Sequence, residues 1–167
     1  MNPRTFLLRT CALLICAILP AACGCQTGDT EKVTIAGEQF ELEVVTTEEA
    51  IQRGLGGRES VSRNGGMLFV FPVAQTKRFW MKDCLVDIDI MFLSKLGRIT
   101  AIHEMTKEPP QGENETQADY ENRLKRYSSV VTAQFAIELQ KGRIAELGLK
   151  PGQKIPLDIA CLEKRLQ

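Results

Sequence analysis

Beyond residue 32 the chain alternates short apolar segments with turn residues, a rhythm that predicts strands more than helices. Val33-Thr34-Ile35, a turn at Gly37-Glu38 and the alternating run Phe40-Glu41-Leu42-Glu43-Val44 predict a hairpin that points Phe40, Leu42 and Val44 inward. Thr46 and Glu49 have capping-box spacing, so Thr47 to Arg53 reads as a short helix ending at Gly54. Glycines at 54, 56, 57, 65 and 66 then bracket a loop carrying Arg58. Met67 to Phe71 is continuously apolar and predicts a strand buried on both faces and ended by Pro72. Further strands are predicted at Lys77 to Leu85, Asp87 to Leu93, Arg98 to Met105, Val130 to Leu139 and Lys154 to Leu162. In the second of these Ile88, Ile90 and Phe92 alternate with Asp87, Asp89 and Met91, and Lys95-Leu96-Gly97 turns it into its neighbour. A second helix is predicted from Lys141 to Leu147, closed by Gly148.

Residues 106–128 break the rhythm. Pro109 to Asn114 reads as an exposed turn, and Ala118 to Tyr127 as an amphipathic helix with Tyr120, Leu124 and Tyr127 on one face, the whole forming a charged surface excursion. The predicted fold class is mainly β: a small barrel-like or sandwich-like domain of short strands with two or three short helices.

The N-terminal segment follows different rules. Arg4 and Arg9 precede the apolar run Cys11 to Leu19, and Ala21-Ala22 follow, which predicts a signal peptide over residues 1–22. The run is too short for a permanent membrane span. Ala22-Cys23-Gly24 resembles a lipoprotein cleavage box with Cys23 as the lipidated residue, although Pro20 stands where Leu is usual; Cys25 is a weaker candidate. Residues 23–32 would form a tether. The expectation is an exported, membrane-anchored lipoprotein, with ordinary cleavage to a periplasmic or secreted soluble protein as the alternative.

With 167 residues, 44% hydrophobic and 25% charged, the composition suits one globular domain, residues 33–162. Lysine plus arginine balance aspartate plus glutamate at 21 each, and loss of Arg4 and Arg9 with the leader leaves 19 basic against 21 acidic groups, which argues against a nucleic-acid partner. Export implies an oxidising compartment. Cys84 and Cys161 are the two cysteines within the predicted domain, so they are the candidate disulfide, with two unpaired buried thiols as the alternative.

Several motifs occur in a telling order: Arg53-Gly54-Leu55 with Arg58, Gly66 to Pro72, Phe79-Trp80-Met81-Lys82, Asp89-Ile90-Met91-Phe92, Gly97-Arg98-Ile99, Ile102-His103-Glu104, and Ile137-Glu138-Leu139 with Gly142. This series resembles the bacterial and archaeal domain-of-unknown-function 192 family over about Val33 to Leu162. The resemblance implies a small β-barrel-like domain, often exported, with no established activity. Asp83-Cys84 replaces the family's usual Asn-Thr, Val86 stands near the place of a usual proline, Gly54-Leu55-Gly56 replaces Gly-Leu-Met, and the 106–128 stretch is longer and more charged.

Candidate chemistry centres on Trp80 and Lys82, two apart on a strand, with Arg53, Arg58, Asp83 and Asp89 expected around them as a ligand-binding patch. Arginine forks match carboxylate or phosphate, and an indole offers a flat face. The competing structural reading makes Trp80 a core plug and pairs Arg53 or Arg58 with Asp89 or Glu138. Asp83, Asp87 and Asp89 open an enzymatic alternative, a small hydrolase or transferase using strand carboxylates. His103 reads as a packed residue. Cys84, His103 and Cys161 lack the close spacing of a thiophilic metal site, and no phosphate-loop, dinucleotide or nucleophile-elbow fingerprint occurs, so no metal or cofactor is expected. The favoured function is a non-enzymatic envelope module that binds a polar or anionic ligand or an envelope partner protein.

Overall fold

The computed structural model describes residues 28–166. The signal peptide and the lipidation candidates Cys23 and Cys25 lie outside the described residues.

One six-stranded sheet carries the fold, in the order β1-β2-β3-β6-β4-β5. β1 (Thr30–Ile35) and β2 (Glu38–Val45) form the expected hairpin, turning at Ala36 and Gly37, where φ is 49° and 86°. α1 (Glu48–Arg53) then crosses to β3 (Gly65–Phe79), which lies parallel to β2. Its cap is Thr47, whose side chain accepts from the Ala50 amide, with Glu48 and Glu49 in the first turn and Arg53 in the last. β4 (Ile88–Leu93), β5 (Ile99–Met105) and β6 (Tyr127–Gln140) complete the sheet, and β6 runs antiparallel to both β3 and β4. The protein is therefore mainly β. The sheet is not closed into a barrel, and β1 and β5 are its two edges.

Alternation along the central strands builds a core on each face. Leu68, Val70, Met91, Leu93, Phe135, Ile137 and Leu139 pack on one side with Phe40 and Leu42. Met67, Phe69, Phe71, Ile88, Ile90, Phe92 and Ala136 pack on the other with Leu55 and Met81. The strands that read as nearly continuous apolar runs are those covered on both sides.

The strand expected from Lys77 to Leu85 ends at Phe79, so Trp80 and Lys82 lie in the irregular segment after β3 and not on a strand, and two further expectations differ from the structure. Pro72 does not end its strand, because the β3–β6 register shifts between Val70 and Gln75 and the proline, which has no amide hydrogen to donate, lies in that irregular stretch. Lys154 to Leu162 is not a strand: Lys154 makes one isolated bridge with Arg98, and the chain then enters α4 (Ile159–Lys164). The Asp158 side chain caps that helix by accepting from the Cys161 amide, while Ile159 and Leu162, three apart, face the core.

The excursion holds a shorter helix than expected, α2 (Gln117–Arg123): Tyr120, Leu124 and Tyr127 are all buried, but Leu124 is the extended residue that ends the helix and Tyr127 opens β6, so they do not form one helical face. α3 (Arg143–Glu146) follows β6. Its Arg143 is only 1% exposed and is tied to Glu38 and Glu146 at 2.6 Å each and to the Arg63 carbonyl at 3.0 Å. This buried guanidinium joins the β1–β2 hairpin, the 54–64 loop and α3.

Candidate functional site

Glu138 sits in the middle of the sheet, opposite Met67 of β3 and Ile90 of β4, inside the apolar run Phe135 to Leu139. Alternation turns its carboxyl toward the face lined by Phe69, Ile90 and Phe92. There the end of α1 closes over it. Gly54 has a φ of 52°, and a Cβ at this position would press on Glu138 Oε2 at 3.4 Å and on Phe69 at 3.5 Å. The backbone after it brings the Leu55 amide to donate to the carboxylate. Glu138 is 4% exposed, and Oε2 has no hydrogen-bond partner among the described residues. Burial pushes its pKa from 4.5 up to about 8, against the opposing pull of the Leu55 amide and Arg58, so the carboxyl is largely neutral at pH 7.

The same carboxyl forms part of a cavity of about 380 Å³ lined by α1 residues, the end of β3 and the segment after it, including Arg53, Arg78, Trp80, Lys82 and Cys84. Lys82 bonds Glu121 of α2 at 2.6 Å, which raises its own pKa. Its ammonium lies 5.5 Å from the Trp80 ring centre, and the Arg126 guanidinium lies 4.1 Å from it. The half-buried indole therefore holds cations at the mouth and is not a core plug. Arg53 and Arg78 are exposed, and among the described residues their side chains have no ion pair or hydrogen bond. The Cys84 thiol donates to the Lys82 carbonyl at 3.6 Å, and burial, with Glu138 and Asp83 adding to it, pushes its pKa up to about 12. It is a neutral wall of the cavity.

Three of the residues predicted from sequence, Arg53, Trp80 and Lys82, thus meet. The other three do not join them. Arg58 is spent in a two-pronged pair with Glu43 at 2.5 and 2.6 Å, lining a separate cavity. Asp83, with φ of 55°, turns to the Tyr120 hydroxyl, which accepts from its amide at 3.1 Å and donates to its carboxylate at 3.3 Å. Asp89 is buried on the opposite face, where its carboxylate accepts from the Ile144 amide at 3.1 Å and anchors the start of α3. Asp87 accepts from the Lys107 amide at 2.9 Å beside another cavity, so Asp83, Asp87 and Asp89 do not form a joint acid–base group. His103 Nε2 bonds the Ser128 carbonyl at 2.7 Å. Cys84 carries a free thiol and Cys161 is disulfide-bonded, so the expected Cys84–Cys161 bridge is absent. The geometry separates that pair: Cys84 belongs to the Glu138 face and Cys161 to α4, which packs on the other core.

The ligand-binding patch read from the sequence omitted Arg78, placed Cys84 in a disulfide instead, and gave Glu138 only as a structural partner for Arg53 or Arg58, whereas all three line the cavity. A signal existed for Glu138, the single acid in a buried five-residue apolar run. Arg78 carried none, since an exposed arginine on a strand has no distinguishing pattern.

The profile of the DUF192 family, described as "Uncharacterized ACR", matches residues 31–157. This chain belongs to the DUF192 family. Two solved structures share its fold. One, titled a "putative transcription regulator" from Sinorhizobium meliloti 1021, is 25% identical with a TM-score of 0.57, covering 75% of this chain and 89% of that one. The other, a protein of unknown function from Novosphingobium aromaticivorans DSM 12444, is 23% identical with a TM-score of 0.57, covering 75% of this DUF192 chain and 82% of its own. No curated protein matches the chain.

Proposed function

We propose that this DUF192 protein is an exported, lipid-anchored binding module that takes a small oxyanion-bearing ligand into the Glu138 cavity. The observation that carries the reading is the pair of unpartnered guanidinium groups, Arg53 and Arg78, lining a cavity with Glu138, whose acid is largely neutral at pH 7. Cations around a cavity that contributes little opposing charge favour an anion, and about 380 Å³ is within the range of small-molecule sites.

A carboxyl with a raised pKa in a cavity also suits acid–base catalysis. Binding is the better-supported reading because Glu138 lacks a chemical partner. The other lining acid, Glu121, is engaged by Lys82 and Gln117, and Cys84 is held as a thiol. A transcriptional role like that named for the Sinorhizobium protein is not supported, since the chain without its leader carries 19 basic against 21 acidic side chains and has no net positive charge to meet a phosphate backbone.

Calorimetric titration of the purified protein with sulfate and with acetate tests the reading. At least one should bind in the millimolar range or tighter, and the Arg53→Ala/Arg78→Ala double variant should weaken it about tenfold or more. No heat with either anion, or equal affinity in the double variant, would overturn it.

A further inference from the structure

Glu138 adds a requirement that Arg53 and Arg78 do not. Its Oε2 is buried, has no partner among the described residues, and belongs to a carboxyl that lines the cavity. A buried polar atom left unmatched carries a desolvation cost that a ligand atom can relieve. A protonated carboxyl offers one O–H donor, so its complement is an oxygen acceptor at the ligand's inner end.

We infer that the ligand is bifunctional, with a carboxylate or other oxyanion held by Arg53 and Arg78 and a carbonyl, ether or hydroxyl oxygen that accepts a hydrogen bond from Glu138. Short hydroxy acids and sugar acids have this chemistry. The inference rests on the oxyanion reading above and goes further by fixing the second end of the molecule and linking binding to a proton.

The proton linkage is readable because the surroundings are quiet near neutral pH. The charged or titratable groups of the cavity are Arg53 from α1, Arg78 from β3, Lys82 and Cys84 from the segment after β3, and Glu121 from α2, with Arg58 reaching Glu138 electrostatically from the 54–64 loop. β4 presents apolar Ile90 opposite it. Guanidinium groups do not deprotonate in this range. The Lys82 pair raises the lysine and lowers Glu121, and Cys84 is pushed up to about 12, so of these groups Glu138 is the one that titrates between pH 6 and 9.

The test is calorimetry with acetate, glycolate, 4-hydroxybutyrate, D-glucuronate and D-glucose, from pH 6 to 9. At pH 6 at least one hydroxy acid should bind about tenfold tighter than acetate, whereas D-glucose, lacking the anion, should bind more weakly than that acid. Affinity for that acid should fall by up to about tenfold per pH unit above pH 8 in the wild type. In Glu138→Gln, whose amide can still donate, it should stay within about twofold across the range. Near-UV circular dichroism confirms that the variant is folded. If acetate binds and no hydroxy acid exceeds it, or if Glu138→Gln keeps the wild-type pH profile, the two-ended recognition is wrong while the oxyanion reading survives. If neither acetate nor any of the acids binds, the two-ended recognition fails, and the oxyanion reading fails with it when sulfate also gives no heat.

Discussion

At the scale of single residues, Glu138 is where the fold gives up stability for a chemical property. An acid whose pKa rises from 4.5 unfolded to about 8 folded binds more protons in the native state between those values. Its contribution to stability therefore declines as pH rises through that window and is unchanged below about pH 4.5. The full penalty above pH 8 is on the order of 5 kcal/mol for a shift of this size. Asp89, also raised by burial, adds to the slope in the same direction. Glu138→Gln should consequently be close to wild type at pH 5 and more stable by several kcal/mol at pH 9. Urea unfolding at the two pH values measures this, and a wild type no less stable at pH 9 relative to the variant would contradict it.

At the scale of elements, close approach between strands decides what each position tolerates. Gly66 lies beside Leu139, and a Cβ there would run into the Glu138 carbonyl and come within 3.0 Å of the Leu139 side chain. Backbone cannot yield as a flexible side chain can, so Gly66→Ala should lower unfolding free energy by about 3 kcal/mol or more. Gly112→Ala, which meets only the Glu115 side chain at 3.7 Å, is the matched control. A Gly66→Ala variant as stable as that control would show that the β3–β6 ladder is looser than the structure has it. The same elements show what the sequence could reveal. Period-two alternation located β1, β2, β4 and β5 because each combines local patterning with nearby turns. It failed at Pro72 and at residues 154–162, where a register shift in a long pairing and a cap on a short helix decide the outcome. Neither leaves a distinctive local period.

At the scale of the whole molecule, the site is a product of topology. β6 arrives last, enters between β3 and β4, and carries Glu138 beneath an α1 terminus that lies 85 residues earlier at Arg53. Arg53, Trp80 and Lys82 were legible as candidates because their residue types are chemically expressive. Their separation from Arg58, Asp83 and Asp89 was not, since Arg58 finds Glu43, Asp83 finds Tyr120 and Asp89 finds the start of α3 only after the chain has folded. The excursion is part of this arrangement, because Glu121 and Arg126 from it meet Lys82 and Trp80 at the cavity. A largely neutral acid beside the unpaired Arg53 and Arg78 is the feature on which ligand binding in this cavity depends. Its most direct test is a carbon-13 NMR titration of the Glu138 side-chain carboxyl. The expected midpoint is about 8; a midpoint near the ordinary 4.5 would mean a charged carboxylate in the cavity and would contradict the neutral acid.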